Sequence, residues 1–166
     1  MYTPGLDYNT HAPGFRYRYL FTRRLYGEIQ GGVDIFSTSD NFNDTKPFVI
    51  CTLSDDIDEN STISLVFTKR YSLRGNSSDV LDNWRVNAVA SRRIWARLAG
   101  SGNIFYGKGR YVQSDMEVQL FGATLSAAYE LMTDFYLYAT SSYLNSKTWV
   151  DNSYIGGYTN FRFTLG

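Results

Sequence analysis

The segment Phe15-Arg16-Tyr17-Arg18-Tyr19-Leu20-Phe21 alternates without a break, with four aromatics on one side and Arg16 and Arg18 on the other. Residues 25–35 repeat the pattern, setting Leu25, Ile29, Val33 and Ile35 against Glu28, Gln30 and Asp34. Successive side chains of a strand point to opposite faces, so this period of two gives each segment one apolar and one polar wall. The same sorting separates Trp84, Val86, Ala88 and Ala90 from Arg85, Asn87 and Ser91. It separates Leu98, Ile104 and Tyr106 from Arg97, Ser101 and Asn103, and Phe121, Leu125 and Tyr129 from Thr124, Ser126 and Glu130. Near the end it separates Phe161, Phe163 and Leu165 from Asn160, Arg162 and Thr164. A soluble sheet also alternates. Here the polar wall carries isolated charges in mid-strand, as the inside of a water-filled barrel does.

The spacing predicts strands near 15–22, 25–37, 61–68, 71–75, 84–91, 94–108, 115–131, 135–147 and 153–165, preceded by a Pro/Gly-rich arm at 1–14. Short turns are expected at Arg23-Arg24, Lys69-Arg70, Arg92-Arg93 and Thr133-Asp134, and polar loops between them. Short connections on one side and long ones on the other are the pattern of an outer-membrane meander. The run Phe48-Val49-Ile50-Cys51-Thr52-Leu53 is continuously apolar and breaks the alternation. It reads as a loop strand that folds over the sheet or docks on a partner through Phe48, Val49, Ile50 and Leu53. Nine spanning strands then remain. Bacterial single-chain barrels have even numbers, so the expectation is a section of a larger barrel or one closed with other subunits.

Composition narrows the classes. Lys+Arg and Asp+Glu are both 16, which gives no electrostatic reason to expect nucleic acid. No stretch reaches the 18 or more apolar residues of a membrane-spanning helix, but barrel strands need only about ten alternating residues each. Aromatics make up 17% of the 166 residues, as membrane-interface girdles require. The start, Met1-Tyr2-Thr3-Pro4-Gly5, lacks the basic and apolar parts of a signal peptide, so a removed leader or a piece of a longer chain is expected. There is one histidine, His11, and one cysteine, Cys51. Neither a nucleophile–base set nor a Cys-based metal site can be assembled from them, so no enzyme, no cofactor and no resident metal are expected. The acidic run Asp55-Asp56-Ile57-Asp58-Glu59-Asn60 offers oxygen ligands of the kind calcium favours, without the glycine and spacing of an EF-hand. It reads as a solvated loop tip.

The run Arg85-Val86-Asn87-Ala88-Val89-Ala90-Ser91-Arg92-Arg93, the Gly/Ala/Ser strand at 96–102, Leu120–Leu131 and Tyr136–Tyr143 together resemble the C-terminal half of outer-membrane β-barrels. They are most similar to the β-barrel porin type 2 group. The resemblance covers roughly 61–166 and lies in style rather than in an invariant motif. It implies a passive envelope protein with no catalytic residues; some members of that group are linked to exopolysaccharide or exosortase systems. Barrels of this kind usually end in an aromatic residue, whereas this chain ends in Thr164-Leu165-Gly166.

The expected fold is therefore all-β: an antiparallel up-and-down transmembrane barrel over 15–166, in the bacterial outer membrane, with the lipid bilayer as its partner. Its lumen would be lined by Arg16, Arg18, Glu28, Asp34, Arg85, Arg97, Glu130 and Arg162, which either tune a channel or pair with one another and plug it. Its membrane-interface belt would use Tyr17, Tyr19, Phe21, Trp84, Trp95, Tyr129, Phe135 and Phe163. It would act as a passive pore, an export conduit or an anchor. The alternatives are a non-conducting subunit of an envelope assembly, docking through its long loops and residues 48–53, and a soluble ligand-binding β-barrel or sandwich.

Overall fold

The computed structural model describes residues 8–38, 43–73, 80–111, 114–133, 135–151 and 153–166. They form ten strands: β1 (Tyr8–His11), β2 (Gly14–Leu20), β3 (Leu25–Thr38), β4 (Asn43–Asp58), β5 (Ser61–Leu73), β6 (Val80–Trp95), β7 (Leu98–Tyr111), β8 (Met116–Met132), β9 (Phe135–Val150) and β10 (Ser153–Leu165). All lie in one sheet, each pairing antiparallel with the next in the chain from β3 onward. No helix occurs among the described residues. The all-β, up-and-down character read from the alternation is what the chain adopts. The sheet is open: β10 pairs only with β9, and β1 and β2 pair only with β3.

β1 and β2 are one strand with an interruption. His11 lies opposite Ile35 and Gly14 opposite Gly32, so the register continues unchanged across Ala12-Pro13. Proline has no N–H to give the ladder and is tolerated at a sheet edge. Its carbonyl still accepts from the Val33 N–H at 3.1 Å. The sheet is thus nine strands wide, and part of the expected N-terminal arm belongs to it. Gly32 is required at this junction. A Cβ there would stand 2.3 Å from the Pro13 carbonyl oxygen and 2.6 Å from the Gly14 Cα, both main-chain atoms. Gly32→Ala should therefore lower the unfolding free energy by about 1–3 kcal/mol, the usual cost of forced overpacking, in chemical denaturation.

Three expectations fail. The apolar run 48–53 is no loop: it lies inside β4, paired with β3 on one side and β5 on the other. Its period is two after all. Val49, Cys51 and Leu53 share the face of Ile29, while Phe48, Ile50 and Thr52 share the face of Glu28. The run looks continuous because apolar residues stand on the polar wall too. Lys69-Arg70 is not a turn but the body of β5. The real β4–β5 connection is Glu59-Asn60, where Asn60 N–H caps the Asp58 carboxylate at 2.8 Å. That hydrogen bond holds Asp58 below the usual carboxylate range. Likewise β6 continues through Arg92-Arg93 to Trp95, and the turn is Ala96-Arg97. The nine strands thus differ from the nine expected: 61–68 and 71–75 merge, and β4 is added. The connections at 39–42, 74–79, 112–115 and 151–152 include residues outside those described.

Strand pairing carries one apolar row across the whole sheet. Tyr19, Gly27, Leu53, Leu65, Ala88, Ile104, Ala123, Tyr143 and Phe161 lie side by side on successive strands. Among the described residues no second layer covers this face. Ile63, Leu65, Ile104, Leu125, Phe161 and Phe163 are all exposed on it, and Leu125 retains 68% of its surface. The other face is the more covered one. Among the described residues the one large side chain fully removed from solvent is Asp34, at 0% exposure. A bare apolar face and a more covered polar face are the reverse of a soluble fold, whose apolar groups are the ones removed from water.

Candidate functional site

The polar face carries most of the interacting polar side chains of the described residues, and it divides into three parts. The first is an arginine–carboxylate group at β2 and β3. Register places Arg18 opposite Glu28 and Arg16 opposite Gln30. Both arginines reach Glu28: Arg16 Nε lies 2.7 Å from Oε1, and Arg18 Nε donates to Oε2 at 2.9 Å. Gln30 Nε2 adds a longer bond of 3.3 Å. Glu28 is only 8% exposed, while its two partners stay open to solvent. Arg18 also stands over the Tyr26 ring, 4.6 Å from its centroid.

The second part centres on Asp34. Arg70 reaches over β4 from β5 and donates twice, Nε to Oδ2 at 2.9 Å and Nη2 to Oδ1 at 2.7 Å. This fork is the strong geometry for a guanidinium and a carboxylate. Its guanidinium lies 5.2 Å from the Phe48 ring centroid, and that ring fills the space above Gly14 and Gly32. Phe48, from the segment expected to dock on a partner, stands beside this ion pair. A comparable stack lies two strands further on, where Arg85 stands 4.8 Å from the Phe105 ring centroid. Phe105 in turn covers Gly122, whose added Cβ would meet the ring at 2.4 Å.

The third part is made of hydroxyls. Thr62, Ser91, Ser101, Ser126, Thr140 and Thr164 form one unbroken row over six strands. Ser126 and Thr140 hydroxyls are 3.2 Å apart, and Thr62 Oγ1 donates to Asp56 at 3.0 Å. In the neighbouring row Ser54 and Ser64 hydroxyls meet at 2.7 Å.

No protein family, curated protein or solved structure matches this chain.

The lumen residues expected from the alternation fall into place unevenly. Arg16, Arg18, Glu28, Asp34, Arg85 and Arg162 share the polar face. Glu130 shares it too, at the end of β8 opposite Tyr136. Arg97 does not line a wall. It sits in the β6–β7 turn, with Nη1 3.4 Å from the Leu131 carbonyl oxygen. Arg70 was missed because Lys69-Arg70 resembles the basic turns elsewhere. The signal for it was available: Thr68 and Arg70 continue the polar phase of Thr62, Ser64 and Val66.

The expected aromatics all stand on the apolar face. Phe21, Trp95, Tyr129 and Phe135 gather near the short turns, Trp84 lies toward the opposite end, and Tyr17, Tyr19 and Phe163 sit in the body of the sheet. Further aromatics complete the far end. Trp84 pairs edge-on with Tyr106, Phe121 with Tyr143, and Trp149 with Tyr154. Ion pairs stand among them on the same face: Lys69 pairs with Asp82, Lys108, opposite Trp84, pairs with Glu117, opposite Trp149, and Arg110 pairs with Asp115. The acidic run at 55–60 is split by the strand phase, with Asp55 facing the apolar side and Asp56 the polar side. Its carboxylates therefore diverge rather than converge on an ion.

Proposed function

We propose that this chain forms the wall of a β-barrel in the bacterial outer membrane and acts as a passive conduit, with its polar face toward water and its apolar face toward lipid. The observation that carries this reading is the inverted burial: Asp34 is enclosed while Leu125, Phe161 and the rest of the apolar row are bare. A single-layer sheet with that face in water would expose far more contiguous apolar surface than soluble monomers carry. The dimensions agree. Phe121 to Leu131 on β8 covers about 33 Å along the strand, which a tilt of about 40° converts to roughly 25 Å of apolar height. Interleaved aromatics and ion pairs close the band at the long-loop end, where a membrane–water boundary would lie. In mid-band the small residues Ala88, Ala90, Gly102 and Ala123 leave a trough of about 460 Å3. Close packing would have to fill that space in a protein core; acyl chains fill it without a shaped partner.

A second reading, a subunit or section of a larger envelope barrel, is favoured by the sheet edges. Nine antiparallel strands leave β1/β2 and β10 running in the same direction. A direct seam between them would be parallel, whereas barrels of this class close antiparallel with an even count. β2 and nearly all of β10 are exposed on both faces, and unpaired edges of that length recruit further strands.

Carbonate extraction of envelopes, followed by boiled and unboiled samples on one SDS gel, tests the membrane assignment. Retention in the membrane with a heat-dependent mobility shift is expected. Release into the wash without a shift would return the chain to the soluble ligand-binding class.

A further inference from the structure

We infer that the conduit wall is cationic and selects anions, an inference that rests on the conduit reading above. The chain as a whole is neutral, but its charges are segregated. The four central rows of the polar face hold Arg16, Arg18, Arg70, Arg85 and Arg162 against a single carboxylate, Glu28. Asp34, one row away, neutralises Arg70 through the two bonds described. Glu28 can offset one charge and is shared by two arginines. Arg85 has no carboxylate on the polar face of β5, β6 or β7, and Arg162 has none on that of β9 or β10. The Phe105 ring beneath Arg85 holds the guanidinium in place and leaves its charge intact. Both side chains are exposed.

The other carboxylates lie outside these four rows; Asp56 and Glu130 share the polar face nearer the short turns. Asp82, Asp115 and Glu117 are at the long-loop rim, each already joined to a lysine or arginine. Asp58 and Glu59 are at a short turn. A solute crossing these four rows therefore meets uncompensated guanidinium groups. Rings of arginine and lysine select anions by this means, and low-dielectric walls focus the field.

The test is the reversal potential of the purified full chain in planar lipid bilayers under a potassium chloride gradient. The expected result is a reversal potential displaced toward the chloride equilibrium value. Arg85→Gln and Arg162→Gln should each move it toward zero, and Arg162→Glu should move it further than Arg162→Gln. Arg23→Gln, in the β2–β3 turn, should leave it unchanged. Two sites on different strands keep the test valid if one variant loses its heat-dependent gel shift. Conductance with a reversal potential at zero or on the potassium side overturns the anion assignment and leaves the conduit standing. No conductance at all overturns the conduit and this inference together.

Discussion

Arg70→Ala should destabilise the folded sheet by about 3 kcal/mol, the low end for removing one partner of a buried ion pair. Asp34 has no exposure, and both of its carboxylate oxygens accept from Arg70. Removing the guanidinium leaves a desolvated charge with its main donors gone. The low end of the range applies because Arg70 itself keeps 42% of its side-chain surface. The Phe48 ring would also lose the cation above it. Asp34→Asn in the Arg70→Ala background should recover part of the loss, since a neutral amide is far cheaper to enclose than a carboxylate. The measurement is urea-induced unfolding in detergent, read through the unboiled gel shift. Equal stabilities for wild type and Arg70→Ala would show that Asp34 finds water or another donor, and the ion pair would then not organise this end of the wall.

Fold class was legible because period-two alternation is a local signal that survives in single strands. The pairs Trp84/Arg85, Leu125/Ser126 and Phe163/Thr164 each report their faces without any knowledge of the partner strand. Boundaries failed where a local signal had two meanings. Lys69-Arg70 looks like Arg23-Arg24, yet only the latter ends a strand; what separates them is whether polar phase continues beyond, and Thr68 and Arg70 continue it. The 48–53 run was illegible for a different reason. Phe48 and Ile50 stand on the polar wall because Phe48 fills the space above two glycines, and no sequence pattern announces that Gly14 and Gly32 will lie beneath it. The Ser/Thr row was present in the sequence only as scattered hydroxyls. Pairing across six strands is needed to align them, and pairing is long-range information. The charge excess of the wall was hidden in the same way, since neutrality of the whole chain masked a cationic face.

Leu125→Arg should cost about 2–4 kcal/mol if the apolar face meets lipid, because an arginine there would sit near the bilayer midplane. Leu125 lies midway along the apolar phase of β8, between Ala123 and Ala127 and opposite Gly102 on β7 and Ser141 on β9. It is 68% exposed, so no protein neighbour has to move to admit the larger side chain. In water the same change at so exposed a site would stay within about 0.5 kcal/mol. The solvent alone decides between the two values. Ser101→Arg supplies the comparison: it is exposed on the polar face in the hydroxyl row and should have little effect when that face is wet. Both variants are measured by denaturant titration of the protein folded into phosphatidylcholine vesicles, with unfolding followed by tryptophan fluorescence. A large loss for Leu125→Arg and a small one for Ser101→Arg place lipid on the apolar face. Small losses for both would mean that this face meets water, and the barrel assignment would fall with it. The reverse order would exchange the two walls and remove the cationic conduit while keeping the membrane.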